Sequence, residues 1–274
     1  MTSEQSNLLS QITPLILTYN EALNIARSLQ KLTWASRIVV IDSYSTDETL
    51  HILSTYPQVK VFQRQFDTHT NQWNYGLAQV TTEWVLSLDA DYVLTEPFVD
   101  ELKHLCPPID VDGYYAKFHY CVFGKPLRGT ILPPRQLLFR KASATYIDDG
   151  HTQLLSVKGR SASLQGTVLH DDRKPLSRWL WAQDRYMVIE AKKLLTTSDR
   201  NLNFGDRLRK RKIIAPFVIL LYCLLIKGGI VDGWRGWYYA FQRAFAETLL
   251  SLRLMELSRD KEGDGQSSSE LFVS

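Results

Sequence analysis

Between residues 12 and 91, short apolar runs alternate with stretches of helical spacing, and several of those runs end in polar or acidic side chains. Residues 12–18, 37–41, 59–62 and 83–88 read as strands, the first interrupted near its start by Pro14. Residues 22–32, 47–55 and 72–79 read as helices, with Asn20 as the N-cap of the first. Alternation at these lengths calls for βαβ crossovers, hence an α/β fold with a mainly parallel central sheet flanked by helices. Ligands bind outside the carboxyl ends of such strands, so the strand ends are where chemistry is sought.

Three segments meet that edge. Leu15-Ile16-Leu17-Thr18-Tyr19-Asn20-Glu21 closes the first strand, and Val39-Val40-Ile41-Asp42-Ser43-Tyr44-Ser45-Thr46-Asp47 closes the second. Trp84-Val85-Leu86-Ser87-Leu88-Asp89-Ala90-Asp91 closes the fourth with two carboxylates one residue apart. Such a pair is a hard-oxygen site suited to Mg²⁺ or Mn²⁺ carrying a diphosphate, although acidic residues also end strands and open turns for purely local reasons. Asp42 is placed to accept from the imide N–H of a base edge, with the hydroxyls of Thr18 and Ser45 beside it, and the helix N-termini that follow offer N–H groups to phosphate.

The remainder is less regular. Residues 113–123 and 136–140 read as strands joined by a Gly- and Pro-rich loop, 154–157 and 162–168 as a hairpin around Gly159, and 176–196 as a helix. The expected organisation is a flexible N-terminus at 1–11, a catalytic domain at 12–200, a helical segment at 201–258 and a disordered tail at 259–274. A formal net charge of +3 is too small to point to nucleic acid as a partner. Cys106, Cys121 and Cys223 are widely spaced and odd in number, which argues against a disulfide framework or zinc site and fits a reducing compartment. No basic stretch leads into an apolar one at the N-terminus, so a cleaved signal peptide is not expected.

Residues 207–250 raise the question of a membrane. Arg207, Arg209, Lys210, Arg211 and Lys212 precede fourteen uncharged residues, 213–226, and the aromatics Trp234, Trp237, Tyr238, Tyr239 and Phe241 follow. The run falls short of the roughly 20 residues a span requires. A monotopic segment in an anionic cytoplasmic leaflet fits best. A buried helical hairpin, an oligomer interface, or a span extended by its flanks are the alternatives.

Thr18-Tyr19-Asn20-Glu21, Val40-Ile41-Asp42-Ser43-Tyr44-Ser45-Thr46-Asp47-Glu48-Thr49 and Leu88-Asp89-Ala90-Asp91, in this order and spacing, resemble the family 2 inverting glycosyltransferases of GT-A (Rossmann-like) fold. Glu83-Trp84-Val85-Leu86-Ser87-Leu88-Asp89-Ala90-Asp91 and Gln72-Trp73-Asn74-Tyr75-Gly76-Leu77-Ala78 are most similar to the bacterial branch that builds lipopolysaccharide cores and other cell-surface glycans. The resemblance is strong over residues 12–95 and loose over 110–190.

It implies that Thr18, Asn20, Glu21, Asp42, Ser45 and Asn74 line a nucleotide site, that Asp89 lies near the ribose and diphosphate, and that Asp91, with Asp89, binds a divalent metal, Mg²⁺ or Mn²⁺. For Glu21 and Asn74 an ordinary helix-surface role remains equally open. An inverting transfer needs a general base for the acceptor hydroxyl. Relatives of this branch carry a His-Glu pair where this chain has His151-Thr152-Gln153, which leaves Asp148 or Asp149 as the base, with Asp149 favoured, and an Asp-Asp-Gly turn as the bland alternative. Arg135, His151 and Arg173 are candidate phosphate or acceptor contacts; Arg140 and the stretch His170-Asp171-Asp172-Arg173-Lys174-Pro175 equally suit a solvated strand face and a helix start. The implied activity is metal-dependent transfer of a sugar from a nucleotide-sugar donor, UDP-linked by preference, to a lipid-linked or glycan acceptor at the cytoplasmic face of a membrane. A polyprenyl-phosphate glycosyltransferase and a catalytically silent nucleotide-binding membrane scaffold are the alternatives.

Overall fold

The computed structural model describes residues 8–148 and 153–267. They fall into two compact units, a sheet unit of Met1–Pro126 and Leu132–Lys174 and a helical unit of Leu127–Ile131 and Pro175–Ser274. The boundary expected near residue 200 thus lies at Lys174. An amphipathic helix pattern does not say which neighbour the helix covers, and the long helix after Pro175 packs on the C-terminal one.

In the sheet unit the order is β1 (Ile12–Thr18), α1 (Ile25–Gln30), β2 (Ile38–Asp42), α2 (Thr49–Ser54), β3 (Val59–Gln63), α3 (His69–Gln79), β4 (Trp84–Asp89), β5 (Tyr92–Leu94) and α4 (Glu96–His104). Then follow β6 (Val111–Val122), β7 (Lys125–Pro126), β8 (Arg135–Arg140), β9 (Ala144–Asp148), β10 (Gln153–Val157) and β11 (Arg160–His170). The main sheet runs β3-β2-β1-β4-β8-β6-β11-β5, with β7 on β6; β9 and β10 pair separately. β3, β2, β1 and β4 are mutually parallel, as the alternation requires. Beyond β4 the expectation of a mainly parallel sheet fails. β8 is antiparallel to both β4 and β6, β11 is parallel to β6, and β5 is antiparallel to β11, so the sheet is mixed. After β5 and α4 no further helix intervenes in this unit, and strands joined without a crossover helix return antiparallel.

β1 is buried on both faces. Ile12 and Ile16 enter one apolar cluster with Ile38, Val40, Leu86 and Leu88, whereas Leu15 enters another with Val39, Ile41 and Val85. That two-sided burial explains why the strand reads as a continuous apolar run. Pro14 is tolerated because it pairs only with Leu86 on β4; pairing with β2 begins at Leu15. Gly76 brings α3 close to the sheet, since a Cβ there would lie 2.7 Å from Leu15 Cδ1.

Three local expectations are corrected. Asn20 does not cap α1: it sits at φ 55°, and Asn24 precedes the helix. Gly159 joins no hairpin, because β10 pairs with β9 and β11 with β6. Leu8–Gln11, read as part of a flexible end, forms a 3-10 turn with Leu8 and Leu9 buried.

The helical unit comprises α5 (Leu176–Thr196), a 3-10 turn (Asp199–Asn201), α6 (Phe204–Lys210), α7 (Ile214–Leu221), a π turn (Tyr222–Ile226), a 3-10 turn (Gly229–Asp232) and α8 (Trp234–Ser267). α8 runs past residue 258, where the helical segment was expected to end. Ala191, Leu194, Leu202, Leu250 and Leu254 form its core. The turns pack backbone on backbone, and a Cβ on Gly236 would lie 1.8 Å from the carbonyl oxygen of Gly229. Asp232 Oδ2 accepts the N–H groups of Arg128 at 2.9 Å and Gly129 at 3.4 Å. Among the described residues no helix is long and apolar enough to cross a membrane.

Candidate functional site

Register brings the predicted strand ends together. Thr18 lies opposite Asp42, and Leu17 opposite Asp89, so β1, β2 and β4 deliver Thr18, Asp42 and Asp89 to one edge. Asp42 is fully buried there. Its Oδ1 accepts from the hydroxyls of Thr18 (3.0 Å) and Ser45, and its Oδ2 from the Ser45 N–H (2.9 Å) and, weakly, Gln63 Nε2 (3.5 Å). The Asn20 N–H donates to Ser45 Oγ at 2.9 Å, and Asn20 Oδ1 accepts from the Thr46 N–H at 2.8 Å. The two turns therefore brace each other through side chains. Each contains a residue at positive φ, Asn20 at 55° and Tyr44 at 60°; Asn enters that region readily, whereas for a tyrosine it is a strained position of the kind found at working sites.

A second layer forms where the chain returns after β11. The antiparallel register of β11 on β5 sets His170 opposite Tyr92, and His170 Nε2 reaches Asp91 Oδ2 at 3.1 Å. Burial works against charge on both groups, yet each stabilises the other. The Asp91 carboxyl is held below its ordinary value by His170 and Lys174, and the His170 imidazole is raised by Asp91. Asp91 Oδ1 is buried and has no hydrogen-bond partner. Asp89 is more open; Arg135 Nη1 stands 3.7 Å from its Oδ2 and donates to the Tyr92 hydroxyl at 2.7 Å.

Glu21 is largely buried and bonded to the Lys174 ammonium and to Asn24 Nδ2 (2.9 Å). Burial raises its carboxyl from 4.5 to about 7 despite the lysine. Asn24 also donates to Asp172 Oδ1 (2.9 Å) and accepts from Arg27 and the Arg173 N–H. The His170-to-Lys174 stretch is thus folded inward as an ion network, not exposed as a solvated helix start. Sequence reasoning singled out the stretch but missed Asn24 and Arg27, and it missed the pairings of His170 and Lys174. Five ionisable residues in succession after a strand were the available signal.

Other predicted site residues lie differently. Arg173 grips Asp171 with two bonds, Nε to Oδ1 at 2.7 Å and Nη2 to Oδ2 at 2.9 Å, so its guanidinium is committed within the network. Asn74 does not join the braced turns through any bond: its amide donates to the Tyr146 carbonyl (2.9 Å) and accepts the Tyr146 N–H (3.0 Å), pinning β9 to α3. These contacts correct the donor-site expectation toward a structural role. Arg140 lies over the Trp84 ring and near Asp112. Asp148 ends β9 in an exposed position; Asp149 and His151 lie outside the described residues.

Among the described residues no cluster of three or more His, Cys, Asp or Glu is arranged to hold a metal. The donor set nonetheless suits Mg²⁺ or Mn²⁺ arriving with a diphosphate, because such ions use one or two carboxylates and take remaining ligands from phosphate and water. The orphaned Asp91 Oδ1 is the observation that fits.

The family model described as Glycosyl transferase family 2 matches residues 15–150. An uncharacterized glycosyltransferase of Rickettsia prowazekii is 24% identical over 91% of this chain and 88% of its own length. The lipopolysaccharide core biosynthesis glycosyltransferase LpsC of Rhizobium meliloti is 21% identical over 84% and 88%. Among solved structures, a mannosyltransferase from Pyrobaculum calidifontis in complex with GDP-Man and Mn²⁺ superposes with a TM-score of 0.53 at 13% identity, covering 89% of this chain and 87% of that one. That likeness concerns the fold, which is α/β and GT-A-like.

Proposed function

Since this chain carries a glycosyl transferase family 2 domain and is a glycosyltransferase, we propose that it moves a sugar with inversion from a nucleotide-sugar donor, UDP-linked by preference, to a lipid-linked or cell-surface glycan at the cytoplasmic face of a membrane. The observation that carries the reading is Asp91, whose unpartnered buried oxygen lies on the edge that also holds Asp42 and Asp89. LpsC, similar over most of its length, is named for lipopolysaccharide core biosynthesis, which favours a glycan acceptor.

In this reading the braced turns hold the nucleotide. Thr18, Asn20 and Ser45 fix the Asp42 carboxylate, and a base N–H replaces the weak Gln63 contact on Oδ2. Asp91, with Asp89 and the His170 imidazole beside it, would hold a divalent cation; bound there, it would offset the charge that builds on the leaving diphosphate. Arg135, half-exposed beside Asp89, is suited to a phosphate oxygen. Asp148 or Asp149 takes the acceptor proton as the new bond to the anomeric carbon forms and the diphosphate leaves with its electron pair.

The test is calorimetric titration of UDP and of GDP, each with and without Mn²⁺, into the wild type and Asp91→Ala. Metal-dependent UDP binding that the substitution removes is the expected result, with turnover on a matched donor falling about 10³-fold. GDP binding alone would replace the nucleotide assignment, and binding of neither would sink the donor site. Asp148→Asn and Asp149→Asn then separate the acceptors, since an ionised polyprenyl phosphate needs no base and would leave both variants near wild-type rate.

A further inference from the structure

Resting on the reading that the helical unit meets a membrane, we infer that the cleft of about 350 Å³ lined by Asp199, Arg200, Arg207 and Lys210 binds the phosphate of an anionic lipid headgroup. Three cations and one carboxylate line it. Lys210 Nζ pairs with Asp199 Oδ1 at 2.6 Å, which cancels one charge of each sign. Among the described residues no carboxylate lies within ion-pair distance of Arg200 or Arg207, and Arg207 commits only its Nε, to the Leu202 carbonyl at 3.1 Å. Two guanidinium groups therefore face the cleft with bonds still to make, and guanidinium geometry matches phosphate oxygens.

The basic run is less uniform than its sequence. Arg209 is turned inward onto Glu190 and Glu247, so the charge available to an anion is concentrated at the cleft and at the exposed Arg211.

What surrounds the cleft in the chain identifies the source of the phosphate. Phe204, three residues before Arg207 on the same face of α6, is 84% exposed. α7 exposes Ile214, Phe217, Val218 and Leu221, and the π turn exposes Leu225 and Ile226. α8 exposes Trp234, Trp237, Phe241 and Phe245 at intervals of three and four, while Ala240, Glu247, Leu250 and Leu254 on another face are buried. Apolar stripes of this extent mark a contact surface, and tryptophans suit the headgroup level. Residues 214–226 rise only about 20 Å, against roughly 30 Å of hydrocarbon, so the segment lies along a leaflet. A soluble phosphate would require the cations but not the apolar stripes; a lipid requires both.

Flotation of the purified full-length protein with phosphatidylcholine vesicles, and with vesicles that also contain phosphatidylglycerol, tests the assignment. The wild type is expected on both, and tighter on the anionic ones. Arg207→Gln and Arg200→Gln should each weaken anionic-vesicle binding about tenfold or more, as loss of a bond to a charged group does, and leave phosphatidylcholine binding unchanged. Arg211→Gln, outside the cleft, should cost at most the general share of about fivefold per surface cation. Equal wild-type affinity for the two compositions, or equal losses in R207Q and R211Q, would overturn the cleft while the membrane reading stands. Binding to neither vesicle overturns both. Inorganic phosphate titrated alone should show no site; a heat signal removed by R200Q/R207Q would make this a soluble-anion site instead.

Discussion

The carboxyl edge of the sheet unit buries charge, and the helical unit exposes hydrocarbon. Asp42, Asp91 and Asp171 are largely or wholly buried and Glu21 nearly so, whereas Phe217, Leu225, Ile226 and Trp234 are more than half exposed. Each arrangement reverses the usual placement and costs stability on its own account. The buried acids are tolerated because hydroxyls, backbone N–H groups, His170, Lys174, Arg27 and Arg173 hold them; the exposed apolar groups have no such support within the unit. The comparison teaches where to look for ligands. In the sheet unit the missing partner is local, one atom of Asp91; in the helical unit it is a surface.

The largest stability effect is expected where a buried charge loses its partner. Glu21→Ala leaves Lys174 uncompensated and should lower unfolding free energy by about 3 kcal/mol in urea titrations, while Glu21→Gln with Lys174→Met should recover most of the loss. An equal loss in the paired variant would mean that shape, not charge, holds this corner. The pair also carries a pH signature. Because the folded value of Glu21 is raised from 4.5 to about 7, the folded state keeps a proton that the unfolded chain gives up. Its contribution is therefore full below 4.5 and is lost as pH rises toward 7. Thermal melts across that interval should fall more steeply for the wild type than for Glu21→Gln.

Asn74→Ala ranks next. It removes two bonds to the Tyr146 backbone and should cost about 1–2 kcal/mol, with nucleotide affinity unchanged. A tenfold rise in nucleotide Kd would return Asn74 to the donor site. The smallest stability effect is expected on the exposed stripe. Phe217→Ser with Leu225→Ser should move unfolding free energy by no more than about 0.5 kcal/mol yet abolish vesicle flotation. A large loss of stability would show that the stripe is packed in the folded protein and is not an open face.

What the sequence revealed follows the same division. β1, β2 and β4 were legible because burial on both faces writes near-continuous apolar runs, and their polar ends stand out against them. The order of β8, β6, β11 and β5 was not, since alternation within a strand does not name its neighbour. Asp91 could be picked out from its own motif. Its partner His170 could not, because the pair depends on the register of β11 against β5, a contact 79 residues apart. Asn74 illustrates the opposite difficulty: an amide on a helix reads alike whether it meets a ligand or a neighbouring strand, and only the Tyr146 backbone decides.

The π turn at Tyr222–Ile226 has a consequence for how this chain can change over time. Its wider winding, with the Lys227 N–H reaching back to the Tyr222 carbonyl, accommodates one residue more than an α-helical turn would. Loss of a single codon there would let the helix close to regular winding and swing Leu225 and Ile226 by about 100° relative to Phe217 and Leu221. The same exposed side chains would then point elsewhere, so a one-residue deletion could re-aim the apolar face without altering its composition.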